Sequence, residues 1–298
     1  GGSTKLDLAN SIWTDDDKAV IEEEWLKTVK AYFGPDIYSA DLSSSEALKA
    51  INKWVNDKTN GMIPKLHDDN YDKDTIMVLL NALYMKADWA HKFEGQDTYD
   101  REFAKADGST VTVPFMNMFE AYESYIKTED AEGIMLPYDD GRLAFIALKP
   151  GSGDARGYAA SLTGAKLKEA IAAAKADTFV TVNMPKFDTE YSVYLTDALK
   201  AIGMTDAFDP DLADLTGAGR GVDGPLYISY VFQKVKVDVD EEGTEAAAVT
   251  EIATAEGCAL PADEPIVLTF DKPFVYAIVD TGTGVPLFAG VMENPEAK

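Results

Sequence analysis

The sequence predicts an α+β fold, and three observations carry that prediction. Apolar residues recur every three to four positions in two early segments, as on one face of a helix. Alternation of apolar and polar residues dominates later in the chain, as in strands with one buried face. Hydrophobic residues make up 46% of the 298 and aromatics 10%, enough for a sizeable core and too much for a mainly disordered chain. Length alone allows about two domains. No repeat, low-complexity block or clear linker divides the chain, so a single domain over residues 1–298 is expected.

Residues 5–13 alternate through Leu6, Leu8 and Ile12 and read as a strand. Asp15, Asp16 and Asp17 sit where a helix N-terminus favours negative charge. Ile21, Trp25, Val29 and Phe33 then recur every four residues as an amphipathic helix. A second helix opens at Ser43 with Glu46 three residues on, a capping box. It is expected to bury Ala47, Ile51, Trp54 and Val55 and to stop near Gly61. Residues 75–85, nearly all apolar, read as a strand buried on both faces. Asp107-Gly108 is a hairpin signal ahead of the alternating Val111 and Val113. Further strands are expected at 122–126, 134–136 and 143–148, a helix at 161–175 and a strand at 179–184. A helix at 191–202 ends at Gly203, and strands follow at 226–239, 266–270, 274–279 and 287–292.

Lys and Arg number 27 against 52 Asp and Glu, a net charge of −25. Such a surface repels phosphate backbones and anionic lipid, so neither nucleic acid nor a membrane surface is an expected partner. Cys258 is the lone cysteine, which excludes an internal disulfide. No apolar run reaches the about 18–20 residues of a spanning helix. Gly1-Gly2-Ser3-Thr4 lacks the basic-then-apolar pattern of a secretory leader.

No catalytic constellation is legible. His67 and His91, read as surface histidines, lie near no Gly-x-Ser-x-Gly turn. Asp68-Asp69-Asn70 and Asp72 lack the glycine and terminal glutamate of a calcium loop. Thr216-Gly217-Ala218-Gly219 lacks the Lys-Ser/Thr pair of a phosphate cradle. Nothing basic flanks Cys258 to lower its pKa. The expectation is therefore no enzyme, no metal site and no cofactor.

One segment has unusual physical character. Between Gly243 and Ala255 the even positions Thr244, Ala246, Ala248, Thr250, Ile252 and Thr254 are all small or β-branched. The segment's charges, Glu245 and Glu251, fall on the odd face. One side is thus fit for burial in a sheet, yet the segment lies where a loop is expected, between Asp240-Glu241-Glu242 and the Pro261/Pro265 punctuation. An ordinary edge strand or an alanine-rich helix fits the same short pattern.

At this segment the chain resembles the serpins, a family of serine protease inhibitors. Residues 239–248, VDEEGTEAAA, resemble the family's hinge. Residues 80–89, LNALYMKADW, resemble its central strand and breach tryptophan, and 51–63 the helix crossing the sheet. Met184-Pro185-Lys186-Phe187, residues 199–208 and 213–217, Asp271-Lys272-Pro273-Phe274 and the ending from Leu287 to Pro295 are similar in family order. The resemblance implies a serpin-like α+β architecture, a large central mixed/antiparallel sheet with further sheets and surrounding helices. It implies a hinge at Glu241, Glu242, Gly243, Thr244, Glu245, Ala246, Ala247 and Ala248. It also implies breach and shutter positions at Trp89, Lys186, Asn81 and Gln233, with Glu241 pairing Lys186 and Gln233 able to hydrogen-bond to Asn81. Two departures stand out: the family's opening helices are missing before residue 5, and glutamine replaces the frequent histidine at Gln233.

The resemblance further implies a single-use mechanism. A serine protease cuts the exposed loop, forms an acyl-enzyme, and is carried away as the loop's N-terminal limb adds a strand to the sheet, of which serpin loop insertion is a standard example. From Thr244 to Gly257 that strand would reach roughly 46 Å at about 3.3 Å per residue. Counting from the hinge places the cut at Gly257–Cys258 and counting back from Asp271 places it near Ala262; Cys258–Ala259 is favoured because Cys258 fills a small apolar pocket better than Gly257. The absence of Lys or Arg from residues 253–260 disfavours a trypsin-like target and favours an elastase-like or subtilisin-like one. A monomer acting outside the cell is expected from the family's usual targets. The alternative is a non-inhibitory member serving as carrier, storage protein or chaperone.

Overall fold

The computed structural model describes residues 4–228, 231–244 and 264–296. Contacts divide the chain into two compact units. One comprises Gly1–Lys5, Met85–Thr189 and Val237–Lys298, the other Leu6–Tyr84 and Glu190–Lys236.

In chain order the elements begin with β1 (Lys5–Thr14), β2 (Ala19–Ile21), α1 (Glu23–Phe33), β3 (Asp36–Ser39), α2 (Ser45–Lys58) and β4 (Met77–Asp88). Next come β5 (Tyr99–Ala104), β6 (Thr110–Lys127), β7 (Ala131–Pro137), β8 (Leu143–Pro150), α3 (Ala155–Ser161), α4 (Gly164–Ala172) and β9 (Lys175–Pro185). The remainder are β10 (Phe187–Tyr194), α5 (Thr196–Ala201), β11 (Gly219–Gly221), β12 (Phe232–Val239), β13 (Gly243–Thr244), β14 (Ile266–Thr269), β15 (Phe274–Asp280) and β16 (Val285–Met292). The strand orders are β10-β12-β13-β4-β1-β3 and β14-β9-β6-β7-β8-β15-β16, with β5 on β6 and a small β11–β2 pair. Parallel pairs (β1–β3, β14–β9) occur among antiparallel ones, so the sheets are mixed and the fold is α+β as expected.

The second unit is organised by α2. Its apolar stripe, Ala47, Ile51, Trp54 and Val55, is buried as the spacing predicts. Ile51, Trp54 and Val55 join Trp13 and the even-numbered residues Val78, Leu80 and Ala82 of β4 in one core. The cap is shifted by one residue from expectation. Ser44 accepts from the Ala47 N–H, while Ser43 is taken by Asp41, to which it donates through both its N–H and its hydroxyl. Gly61 turns at φ +84°, three residues beyond the helix. α1 departs further: none of its residues is buried. The three aspartates do not start it. Asp15 is buried, holding Lys18 and the Asp17 N–H, and Glu23 and Glu24 supply the first-turn charge.

In the first unit the Asp107-Gly108 hairpin joins β5 to β6, with Gly108 at φ +82°. The predicted helix at 161–175 is two helices. Ser161 is the last residue of α3, whose C-cap is Leu162, Thr163 caps α4 by accepting from the Lys166 N–H, and Lys175 already belongs to β9. In the second unit the predicted helix at 191–202 is likewise divided. Residues through Tyr194 complete β10, and only Thr196–Ala201 are helical. Core packing in the first unit brings Ile126, Ile146, Leu148, Val275 and Val279 against Tyr158 of α3 and Leu167 and Ala170 of α4.

Candidate functional site

The site lies in the first unit, where β12 turns back into β13. Asp240 makes the turn: its carboxylate accepts from the backbone N–H groups of Glu242 (2.9 Å) and Gly243 (3.3 Å), an Asx-type arrangement. Burial pushes the Asp240 carboxyl up, against these bonds. Val239 then opposes Thr244 across the turn. On its other side β13 pairs with β4, Gly243 opposite Asp88 and Thr244 opposite Ala87. Gly243 has no positive φ, so its need is spatial. A Cβ there would lie 2.0 Å from the Ala87 carbonyl oxygen.

Thr244 is 3% exposed, and its hydroxyl lies 2.6 Å from the Tyr138 phenol. Tyr138 is fully buried and stacks on Trp89, ring centroids 4.9 Å apart at 6°. Burial drives its phenol pKa well above the ordinary range, so it stays neutral. Phe145 and Phe93 meet the Trp89 ring edge-on.

The segment after β4 grips the turn. Trp89 donates its indole N–H to the Asp240 carbonyl (2.9 Å) and its backbone N–H to that of Glu242 (2.8 Å). The Phe93 N–H reaches the Glu241 carbonyl (3.0 Å). Lys92 binds the Glu242 carboxylate at 2.6 Å, and this bond raises the lysine's pKa. Glu241 receives Lys186 on Oε2 and the Thr98 hydroxyl on Oε1, the latter at 2.7 Å. Burial opposes its ionisation, but these two donors outweigh it and hold the carboxyl below the usual range. The arrangement is a preformed entry: two residues of a strand already in place, gripped on both sides, with the chain continuing into residue 245.

The family model described as "Serpin (serine protease inhibitor)" matches residues 1–295. The chain belongs to the serpin family. It is 34% identical over 278 residues to Serpin B10 of Otolemur garnettii, covering 91% of this chain and 69% of that protein. It is 34% identical over 306 residues to human leukocyte elastase inhibitor, covering 99% and 79%. Its fold matches the native-state crystal structure of Tengpin, a thermophilic serpin, with TM-score 0.89 and 35% identity over 98% of this chain and 74% of that one.

For this serpin the structure brings together Trp89, Lys186, Glu241, Glu242, Gly243 and Thr244. Asn81 and Gln233 lie in the second unit. The Asn81 amide donates to Asn10 Oδ1 (2.9 Å). Beside Gln233, Lys234 pairs with Glu190 (2.7 Å) and Phe232 packs on His67. The hinge residues Glu245, Ala246, Ala247 and Ala248, and the reactive-bond residues Gly257, Cys258 and Ala259, lie outside the described residues. Among the described residues no group of three or more His, Cys, Asp or Glu converges to hold a metal.

Sequence reasoning missed Tyr138, Thr98 and Lys92. Tyr138 and Thr98 reach their partners from over 100 positions away, and no local pattern marks them. Nor are the histidines alike. His67 is half-buried between Phe232 and Tyr71 with Nε2 unpartnered among the described residues, whereas His91 is exposed and binds the buried Glu123 at 2.6 Å.

Proposed function

We propose that this serpin is a single-use inhibitor of serine proteases with small apolar pockets, elastase-like or subtilisin-like. It traps the acyl-enzyme by inserting residues 245–257 into the sheet. The observation that carries this reading is the pairing of Gly243 and Thr244 between β12 and β4, with Thr244 buried. Thr244 belongs to the small-residue face, and the residues that follow on that face, Ala246 and Ala248, bring neither charge nor bulk.

The register makes the reading specific. Six residues beyond Thr244 along the limb is six residues back along each antiparallel neighbour. Continued insertion therefore sets Thr250 opposite Asn81 on β4 and Gln233 on β12. The two amides would then flank a hydroxyl. Distortion of the tethered protease suffices to stop deacylation, because small misplacements of reacting groups abolish catalysis.

The test is incubation with elastase, subtilisin and trypsin, followed by a denaturing gel and a thermal melt of the nicked inhibitor. A complex that survives detergent with the first two, and a rise in melting temperature after cleavage, are expected. Cleavage by every protease with no covalent complex and no rise favours the non-inhibitory alternative.

A further inference from the structure

An apolar patch lies on the outward face of the sheet beside β14. Phe119 is 49% exposed, Tyr122 54% and Val267 61%. Tyr122 opposes Phe179 of β9, their rings 5.3 Å apart. Two residues along the same face of β9, Thr181 opposes Val267. A bulge lets Phe119 face out: the register of β6 on β9 shifts between Met118 and Ala121. At its centre Glu120 takes φ +53°, a left-handed conformation that is strained for a residue with a Cβ. Its N–H donates to the Thr181 hydroxyl (3.3 Å). Asp177 of β9, also left-handed at φ +54°, is exposed near Phe179. Neither Glu120 nor Asp177 forms an ion pair among the described residues. The sheet thus spends backbone strain to present aromatic side chains beside uncompensated carboxylates.

We propose that this patch is a second docking surface for the target protease, one whose cleft is bordered by apolar and basic side chains. The proposal rests on the inhibitory reading above. Chain length identifies the occupant. From Cys258 to Val267 is nine residues, so the attacked bond lies at most roughly 30 Å from the patch along the chain. A protease of about 240 residues has a radius of gyration of roughly 18 Å and a body some 45 Å across. Seated on the loop, it reaches over β14. The two carboxylates steer a cationic rim toward the aromatic contact, which acts on the association rate and its salt dependence.

The test times covalent complex formation with a cationic elastase, at low and high ionic strength, for the parent serpin and two variants. F119S/Y122S is expected to slow association about tenfold while the melting temperature and the number of inhibitors consumed per protease stay unchanged. E120Q/D177N is expected to flatten the salt dependence and leave the high-salt rate intact. Rates and salt slopes for E120Q/D177N within about twofold of the parent overturn the proposal, even where F119S/Y122S melts early. Failure of the parent itself to form a complex rejects the inhibitory reading and the proposal with it. A parent that inhibits while the variants match it rejects the patch alone.

Discussion

The Thr244 hydroxyl and the Tyr138 phenol share a hydrogen bond of 2.6 Å between two buried side chains. Through it, and through the stacking of Tyr138 on Trp89, the aromatic cluster reads directly whether Thr244 is in the sheet. Tyr138→Phe keeps the ring stack but strands the threonine hydroxyl. A loss of about 1–3 kcal/mol in unfolding free energy is expected. Amide exchange at Thr244 should quicken with it. Unchanged exchange would show that the ladder, and not the hydroxyl, holds this residue.

Gly243 admits no side chain, because a Cβ meets the Ala87 carbonyl. Gly243→Ala is expected to lift β13 from β4 and cost about 1–3 kcal/mol. Hydrogen exchange read residue by residue checks this, with protection lost at Gly243 and Thr244 and retained along β15, which is buried throughout.

Glu241 ionises below the ordinary glutamate value of 4.5 because Lys186 and Thr98 outweigh the effect of burial. A carboxyl lowered in the folded state stabilises above its unfolded pKa and loses that contribution as pH falls through the folded value. The stability of this serpin should therefore drop below about pH 4.5. Lys186→Met should flatten the drop. Parallel acid-denaturation curves for parent and variant would exclude the pair as its source.

His67 has the opposite chemistry and the same sign. Burial first, then Lys234, lowers its pKa below the ordinary imidazole value of 6.5. The unfolded chain takes the proton first, so stability is complete above pH 6.5 and declines from there as pH falls toward the folded pKa. Melting temperatures between about pH 7.5 and 5 should show this decline, reduced in His67→Gln. A decline of equal size in the variant assigns it elsewhere.

If insertion follows the register of Gly243 and Thr244, Asn81→Ala should reduce the rise in melting temperature on cleavage. The loss should correspond to about 1 kcal/mol, the worth of one hydrogen bond, with less effect on the uncut serpin, where Asn81 is exposed and binds only Asn10 among the described residues. An equal effect on both forms would argue against the Thr250 pairing.

Much of the fold was legible because its signals are local. The spacing of Ile51, Trp54 and Val55 marks α2, and Asp107-Gly108 marks the β5–β6 hairpin. Failures came where a local signal was ambiguous or overruled. Thr163 caps a helix inside a run that reads as continuous. Tyr191 to Ile202 has helical composition, yet its first part is taken by the sheet. The aspartates after β1 look like a helix start, but Asp15 is needed as a buried anchor for Lys18. At the site, the resemblance pointed to Glu241 and Lys186, while Tyr138 and Thr98 are joined to it only by tertiary packing.

The two residues of β13 also bear on what the molecule avoids. The upper rung between β12 and β4 is filled by the chain's own Gly243 and Thr244, so a strand from a neighbouring copy has no open rung at which to nucleate there. It would first have to evict Thr244 from Tyr138 and strip Glu241 and Glu242 of their lysines. The same plug fixes the phase of anything that follows it, since a slip by one residue would turn Glu245 and Glu251 onto the face now reserved for threonine and alanine.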